Sequence, residues 1–260
     1  LTTYNISGSS QIKTVEIFPW HYKDEKIINN DFLRKNPNIN NFNFLNINNE
    51  NNIIYFSQAD IVINRNIHIP KEYQVVINEG TKLDLINSSS IVSYAPLYFL
   101  GTEENPIFVT SSDSTGEGIF VLNSNSKSIL ENVHFNNLSN PYKNDWSLSG
   151  AITFYESDVY VNQCKFTNNQ RGDDYLNIIR SNFEIENSFF NSILADAFDA
   201  DFCRGTISQS YFNNCGNDGI DVSGTYINMK DIEMKSIGDK AISSGENSYV
   251  DAVNIKIEEK

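Results

Sequence analysis

Apolar residues recur about every 22 residues in this chain, and that period constrains the fold more than any other feature of the sequence. Phe190, Phe212 and Met234 are each 22 residues apart, and Ile257 follows 23 residues later. Two further sets share the 22-residue spacing: Leu176, Phe198, Ile220 and Ile242, and Ile185, Ile207 and Met229. Such a period is typical of a solenoid, in which each repeat buries its apolar side chains only by stacking on its neighbours.

The segments that carry the repeat have the length and composition of strands. Residues 61–63, 75–77 and 107–109 are short apolar runs, rich in β-branched side chains and bounded by turn residues,. No stretch shows sustained helical periodicity. Three short strands and three turns fill a coil of about 20 to 25 residues. The sequence therefore predicts an all-β protein, a right-handed parallel β-helix with about 22 residues per coil.

The predicted β-helix occupies residues 53–260, and residues 1–52 are predicted to form an irregular N-terminal cap or linker. Residues 36–52 are a low-complexity, asparagine-rich stretch. The strand pattern continues to the last residue, which suggests that the native protein extends beyond it. Three cysteines without a C-x-x-C motif predict either small buried core residues or one Cys203–Cys215 bridge,.

Asparagine recurs directly after the aromatic position of several repeats. Asn136 and Asn137 follow Phe135, and Asn213 and Asn214 follow Phe212. Asparagine tolerates left-handed backbone angles and can bond to the equivalent residue of the next coil. We expect a structural asparagine ladder at this turn.

The repeat, the asparagine ladder and the strand spacing resemble the right-handed parallel β-helix superfamily, which includes pectate lyases, polygalacturonases, phage tailspikes and many surface proteins. The stretches 101–111, 118–120 and 128–135 are similar to secreted bacterial β-helix domains. Residues 195–205 and 216–224 resemble β-helix segments attached to some spore-coat-protein-H-like bacterial proteins. The resemblance covers residues 53–260 and implies an extracytoplasmic location. It specifies the fold rather than an activity, because this fold serves many functions.

The 22-residue register predicts a cluster of carboxylates. One column contains Asp174, Asp196, Asp218 and Lys240, and a second contains Asn177, Asp199, Asp221 and Ser243. Carboxylates on adjacent coils, at about 4.8 Å, repel by roughly 3 kcal/mol before screening. Three arrangements offset this repulsion: a Ca²⁺ ion held by Asp174, Asp196 and Asp218, one protonated carboxyl, or full solvation with capping of turn N–H groups.

A catalytic interpretation assigns Asp199, Asp201 and Asp221 as acid and base, with Lys240 and Arg204 as nearby cations. The resemblance to polygalacturonases implies outward carboxylates on adjacent coils, whose separation decides between retention and inversion. However, the chain lacks the Asn-Thr-Asp, Asp-Asp, Gly-His-Gly and Arg-Ile-Lys set of that family. It also lacks the Arg-x-Pro-x-x-Arg motif of pectate lyases.

An insertion at residues 139–149 lengthens one coil by about nine residues and carries Tyr142 and Trp146. Aromatic side chains on a β-helix loop can stack on sugar rings, so these two residues are candidates for carbohydrate stacking. The alternative is that the loop folds back onto the flank of the solenoid.

The charge of the chain narrows the class of partner. With 33 acidic and 19 basic residues the formal net charge is −14, which disfavours nucleic acid and anionic membranes. No apolar run is long enough to span a membrane. We therefore predict a secreted or cell-surface module that binds a carbohydrate polymer or acts as a rigid part of a larger surface protein. The alternatives are a polysaccharide lyase or glycoside hydrolase and, less favoured, a tailspike-like trimer; a bound Ca²⁺ and an oligomer remain open.

Overall fold

The computed structural model describes residues 2–5, 12–15, 32–33, 35–143 and 146–258. The chain forms two compact units, residues 1–35 and residues 36–260. In the first unit β1 (Thr2–Asn5) pairs antiparallel with β2 (Ile12–Val15). Across the described ranges, no helix has the length and apolar character needed to cross a membrane.

The second unit is a parallel β-solenoid of about nine coils with ~23 residues per coil, as the sequence predicts. Its strands, numbered in chain order, stack in three columns. The first column contains β4 (Ile53–Phe56), β7 (Gln74–Asn78), β10 (Leu97–Leu100), β13 (Ser128–Glu131), β18 (Val159–Asn162), β21 (Asn182–Glu186) and β24 (Arg204–Ser208). The second contains β5 (Asp60–Ile63), β8 (Lys82–Leu85), β11 (Ile107–Thr110), β14 (Val133–Asn136), β19 (Lys165–Thr167), β22 (Phe189–Ile193) and β25 (Tyr211–Cys215).

The third column contains β6 (Ile67–Ile69), β9 (Ile91–Ser93), β12 (Ile119–Leu122), β17 (Gly150–Tyr155), β20 (Asp174–Ile179), β23 (Asp196–Asp201), β26 (Ile220–Ser223) and β28 (Ile242–Ser244). Two long strands, β27 (Tyr226–Ile237) and β29 (Tyr249–Glu258), continue both the first and the second column. The remaining elements are the 3-10 helix at Ile39–Asn41, β3 (Leu45–Asn48) antiparallel to β4, and a hairpin of β15 (Tyr142–Lys143) and β16 (Trp146–Ser147).

The predicted apolar register is confirmed. Phe135, Phe166, Phe190, Phe212 and Met234 are successive partners in the second column. The rings of Phe190 and Phe212 stack with centres 4.6 Å apart and planes 3° from parallel. Equivalent side chains therefore meet the same neighbours in every coil, which gives the solenoid one continuous core,.

The predicted asparagine ladder is also present. Asn168 Nδ2 donates to Asn136 Oδ1 at 2.9 Å, and Asn213 Nδ2 donates to Asn191 Oδ1 at 2.6 Å. Asn137, Asn168 and Asn214 adopt left-handed backbone angles in this turn, with φ of 63°, 57° and 54°. These amides bond to the adjacent coil, which gives the column a structural role.

Two further sequence expectations concern the start of the solenoid and the cysteines. The sequence places the domain boundary at residue 52, whereas the compact unit begins at Asn36. Ile39, Phe42 and Phe44 lie in the same core as the coils that follow. The three cysteines are free and buried, so the interpretation as core residues holds and the alternative Cys203–Cys215 bridge does not form.

Candidate functional site: the acidic face of the third column

The outward surface of strands β20, β23 and β26 is acidic. Along β23, Phe198 and Ala200 point into the core, so Asp199 and Asp201 lie on the outer surface and are half-buried,. Asn177, Asp199 and Asp221 are direct partners across three coils, as the register predicts. We call this surface the acidic face; its members are Asp174, Asn177, Asp196, Asp199, Asp201, Asp218 and Asp221.

At one edge of the acidic face the carboxylates cap the backbone of the following coil. Asp196 Oδ1 accepts the N–H of Asp218 and the amide of Asn217, both at 2.7 Å. Asp218 Oδ1 accepts the N–H of Lys240 at 2.8 Å. These bonds satisfy N–H groups at the start of each third-column strand. Two of the three predicted metal ligands, Asp196 and Asp218, thus already have a structural role.

The centre of the acidic face holds a carboxyl that is neutral at pH 7. Burial raises the pKa of the Asp199 carboxyl to about 8, and the surrounding carboxylates, Asp174 first among them, act in the same direction. Asn177 Nδ2 donates to Asp199 Oδ2 at 2.7 Å. Burial also raises the pKa of Asp201, and the charge of Asp221 contributes. The acidic face therefore offers a protonated acid beside other carboxyl groups, which is an acid–base arrangement.

Two oxygens of the acidic face are buried without a hydrogen-bond donor among the described residues, namely Asp174 Oδ2 and Asn177 Oδ1. Asp174 is 2% exposed and Asn177 is 1% exposed. Burial raises the pKa of Asp174 to about 7. An unsatisfied buried acceptor is costly, which adds to the cost of ionising Asp174.

The acidic face also contains a geometry suited to a cation. Asp196, Asp218 and Asp221 offer carboxylate oxygens within 4.8 Å of one another, and such oxygens are the ligands that Ca²⁺ prefers. The set differs from the predicted Asp174, Asp196 and Asp218 in one member, because it contains Asp221 in place of Asp174.

The two predicted cations lie at different places. Lys240 is at the edge of the acidic face, where its Nζ is 3.4 Å from Asp218 Oδ2 and also pairs with Asp239. Arg204 begins β24 in the first column, and its guanidinium lies 5.3 Å from the centre of the Tyr226 ring. Lys240 is therefore part of the carboxylate cluster, whereas Arg204 packs on an aromatic ring of the next face.

The inserted hairpin packs on the solenoid flank next to the acidic face. Trp146 is half-buried, with its ring edge-to-face to Phe120 at 6.5 Å, while Tyr142 is 62% exposed. Lys143 Nζ lies 2.7 Å from Glu117 Oε2, and the Glu117 side chain is 3% exposed. The amide of Asp174 donates to the carbonyl of Ser149 at 3.2 Å, so the insertion ends at the acidic face. Sugar stacking by Tyr142 and Trp146 stays a prediction.

Sequence reasoning did not select Asn177 as a site residue, although the register already aligned it with Asp199. Its amide donates to the Asp199 carboxyl while its own oxygen has no donor among the described residues. The register aligns Asn177 with Asp199 and could have marked it as a site residue. Only the structure shows that its amide binds the Asp199 carboxyl.

Comparisons with known proteins leave the family of this chain open. No protein-family model matches the chain, and no curated protein matches it. A putative glycosyl hydrolase from Parabacteroides merdae ATCC 43184 aligns with 8% identity and a TM-score of 0.30, over 71% of this chain and 82% of that one. An alginate lyase from Paenibacillus sp. str. FPU-7 aligns with 9% identity and a TM-score of 0.23, over 71% of this chain and 92% of that one. At these scores neither likeness bears on the fold or the activity of this chain. The strands themselves identify the chain as a parallel β-solenoid with a cluster of carboxyl groups on its third column.

Proposed function

We propose that the acidic face binds a carbohydrate polymer. The observation that supports it most is an accessible group of acceptors: the half-buried carboxyl groups of Asp199, Asp201 and Asp221 lie on adjacent coils of one surface. A ligand that complements such a surface must bring many donors, and sugar hydroxyl groups do so without adding charge. The solenoid places equivalent side chains at a regular spacing, which suits a linear polymer.

The charge of the protein favours a neutral polymer. The formal net charge is −14, and Lys240, a cation at the edge of the face, is already paired with Asp218 and Asp239. An acidic polysaccharide would be repelled unless a divalent cation bridged it to the carboxylates. The Asp196, Asp218 and Asp221 oxygens are where we expect such a cation.

A second candidate function, hydrolysis of the bound polymer, is favoured by the protonation of Asp199. A carboxyl that is neutral at pH 7 can donate a proton to a leaving group, and a carboxylate on the adjacent coil can act as nucleophile or base. We assign Asp199 as the acid and its partner on the next coil, Asp221, as the carboxylate. Location outside the cytoplasm, at the cell surface or in the medium, is part of this proposal.

Affinity electrophoresis tests the binding proposal. The protein is run through gels containing neutral glucans, mannans or xylans, or acidic alginate or polygalacturonate, with Ca²⁺ or with EDTA. We expect at least one neutral polymer to retard the protein, and the double variant Asp199→Asn/Asp221→Asn to lose the retardation. The control Asp60→Asn/Asp251→Asn makes the same two substitutions at exposed residues of other columns and should still be retarded. Retardation that persists in the first variant, or that no polymer produces, would refute the proposal.

Cleavage is measured separately on the polymer that binds. We expect new reducing ends without unsaturated products, and a rate that Asp199→Asn lowers by about 100-fold or more. The rate should fall as pH rises above about 8, because Asp199 must be protonated. Unsaturated products would indicate a lyase instead. Binding without any new ends would leave the protein a carbohydrate-binding module.

A further inference from the structure

The turn that follows the third-column strands has the same backbone conformation in five successive coils. Its residues all have positive φ, between 47° and 61°: Asn123, Glu156, Arg180, Phe202 and Gly224. In each coil the N–H of this residue donates to a carbonyl of the next coil. The position is therefore a fixed left-handed turn, which glycine and asparagine adopt most readily.

Phe202 is the least suited of these residues to its position. A bulky side chain at positive φ is a true outlier among backbone conformations. Burial does not compensate for this strain, because Phe202 is 65% exposed. Strained backbone that is retained without a packing benefit is a feature of functional positions.

The ring of Phe202 lies against Gly224, the residue of the same turn in the next coil. A Cβ added to Gly224 would lie 2.7 Å from Phe202 Cδ1, closer than real contacts allow. Because Gly224 has no side chain, this part of the Phe202 ring can lie directly against it. Most of the ring surface remains open to solvent.

Phe202 also stands at the border of the acidic face. It follows Asp201 directly, and Asp199 is three residues earlier, about 10 Å away along an extended strand,. In the preceding coil the equivalent turn carries Arg180, whose Nη1 donates to Tyr155 Oη at 3.2 Å. The apolar ring of Phe202 thus adjoins the carboxyl groups of the acidic face.

We propose that Phe202 is a stacking surface for one sugar ring of the polymer that occupies the acidic face. The inference builds on the proposed function and adds a binding residue to it. A pyranose has a C–H face that carries partial positive charge, and this face complements the negative face of an aromatic ring. Its hydroxyl edge can then donate to the Asp201 carboxyl, and the next sugar of the polymer can donate to Asp199.

The test compares binding and stability in the same variants. Phe202→Asn places at φ 55° a residue that tolerates this conformation. It should raise Tm by about 2–4 °C and weaken polymer binding by about tenfold or more. Phe202→Tyr keeps a ring and should bind like the wild type. The control Leu194→Asn alters another apolar side chain, 56% exposed, and should leave binding unchanged.

The outcomes separate this inference from the proposed function. If the wild type binds a polymer and Phe202→Asn binds equally well, the stacking role is refuted while the acidic face keeps its function. If Phe202→Asn lowers Tm, the ring is a packing residue and the inference is also refuted. If the wild type binds none of the polymers, both proposals fall.

Discussion

Replacing Asp199 by Asn should stabilise the folded protein, and the gain should grow with pH. In the unfolded chain the carboxyl ionises near its ordinary value of 3.8, whereas its folded pKa is about 8. Between these values the folded state keeps a proton that the unfolded state has released. The contribution of this carboxyl is therefore most favourable at acidic pH and is lost as pH rises through this window.

The magnitude follows from the separation of the two pKa values. Each pH unit within the window costs about 1.4 kcal/mol, or about 4 kcal/mol at pH 7 for a rigid environment. Rearrangement of the face and entry of water lower this cost. We expect Asp199→Asn to raise the free energy of unfolding by about 2 kcal/mol at pH 7 and by close to zero at pH 4.

Urea unfolding followed by circular dichroism at each pH unit from 2 to 8 measures this difference. The matched control is Asp113→Asn. Slight burial of Asp113 acts to raise its pKa, but hydrogen bonds from Asn87, Thr115 and Ser111 lower it to about 2. That variant should lose stability at neutral pH and approach the wild type as pH falls toward 2. A gain from Asp199→Asn that is the same at pH 4 and pH 8, or a loss at pH 8, would refute the assignment of a protonated Asp199.

Three further predictions concern the solenoid that carries the site. Phe212→Ala removes one ring from the core stack and should lower the free energy of unfolding by about 3–5 kcal/mol, measured by urea unfolding. Asp196→Ala leaves the Asp218 N–H without its acceptor and should cost about 1–3 kcal/mol; Asp196→Asn, which keeps an acceptor, should recover most of this loss in the same assay. Glu117→Gln removes the charge that holds Lys143 and should cost up to about 3 kcal/mol; limited proteolysis should then cut residues 139–149 faster, and an unchanged rate would contradict the role of this ion pair.

The amino-acid sequence by itself determined the coil. The 22-residue spacing of Phe190, Phe212 and Met234 predicted which side chains stack, and the structure pairs these residues. The same register aligned Asn177, Asp199 and Asp221. These features can be predicted from the sequence because a solenoid repeats one local arrangement. Residues one period apart along the chain are therefore neighbours in space.

The tertiary structure decided what each aligned residue does. Asp199 and Asp201 alternate identically along β23. Burial raises the pKa of Asp199 to about 8, and the charge of Asp174 acts in the same direction, whereas Asp221 is the main charge that acts on Asp201. Asp196 and Asp218 share one column with Asp174, but they cap backbone N–H groups while Asp174 keeps an oxygen without a donor among the described residues. Phe202 belongs to no apolar column, and its left-handed, exposed position follows from the turn. Burial and protonation depend on side chains converging from several coils at once, and no spacing along the chain encodes that convergence.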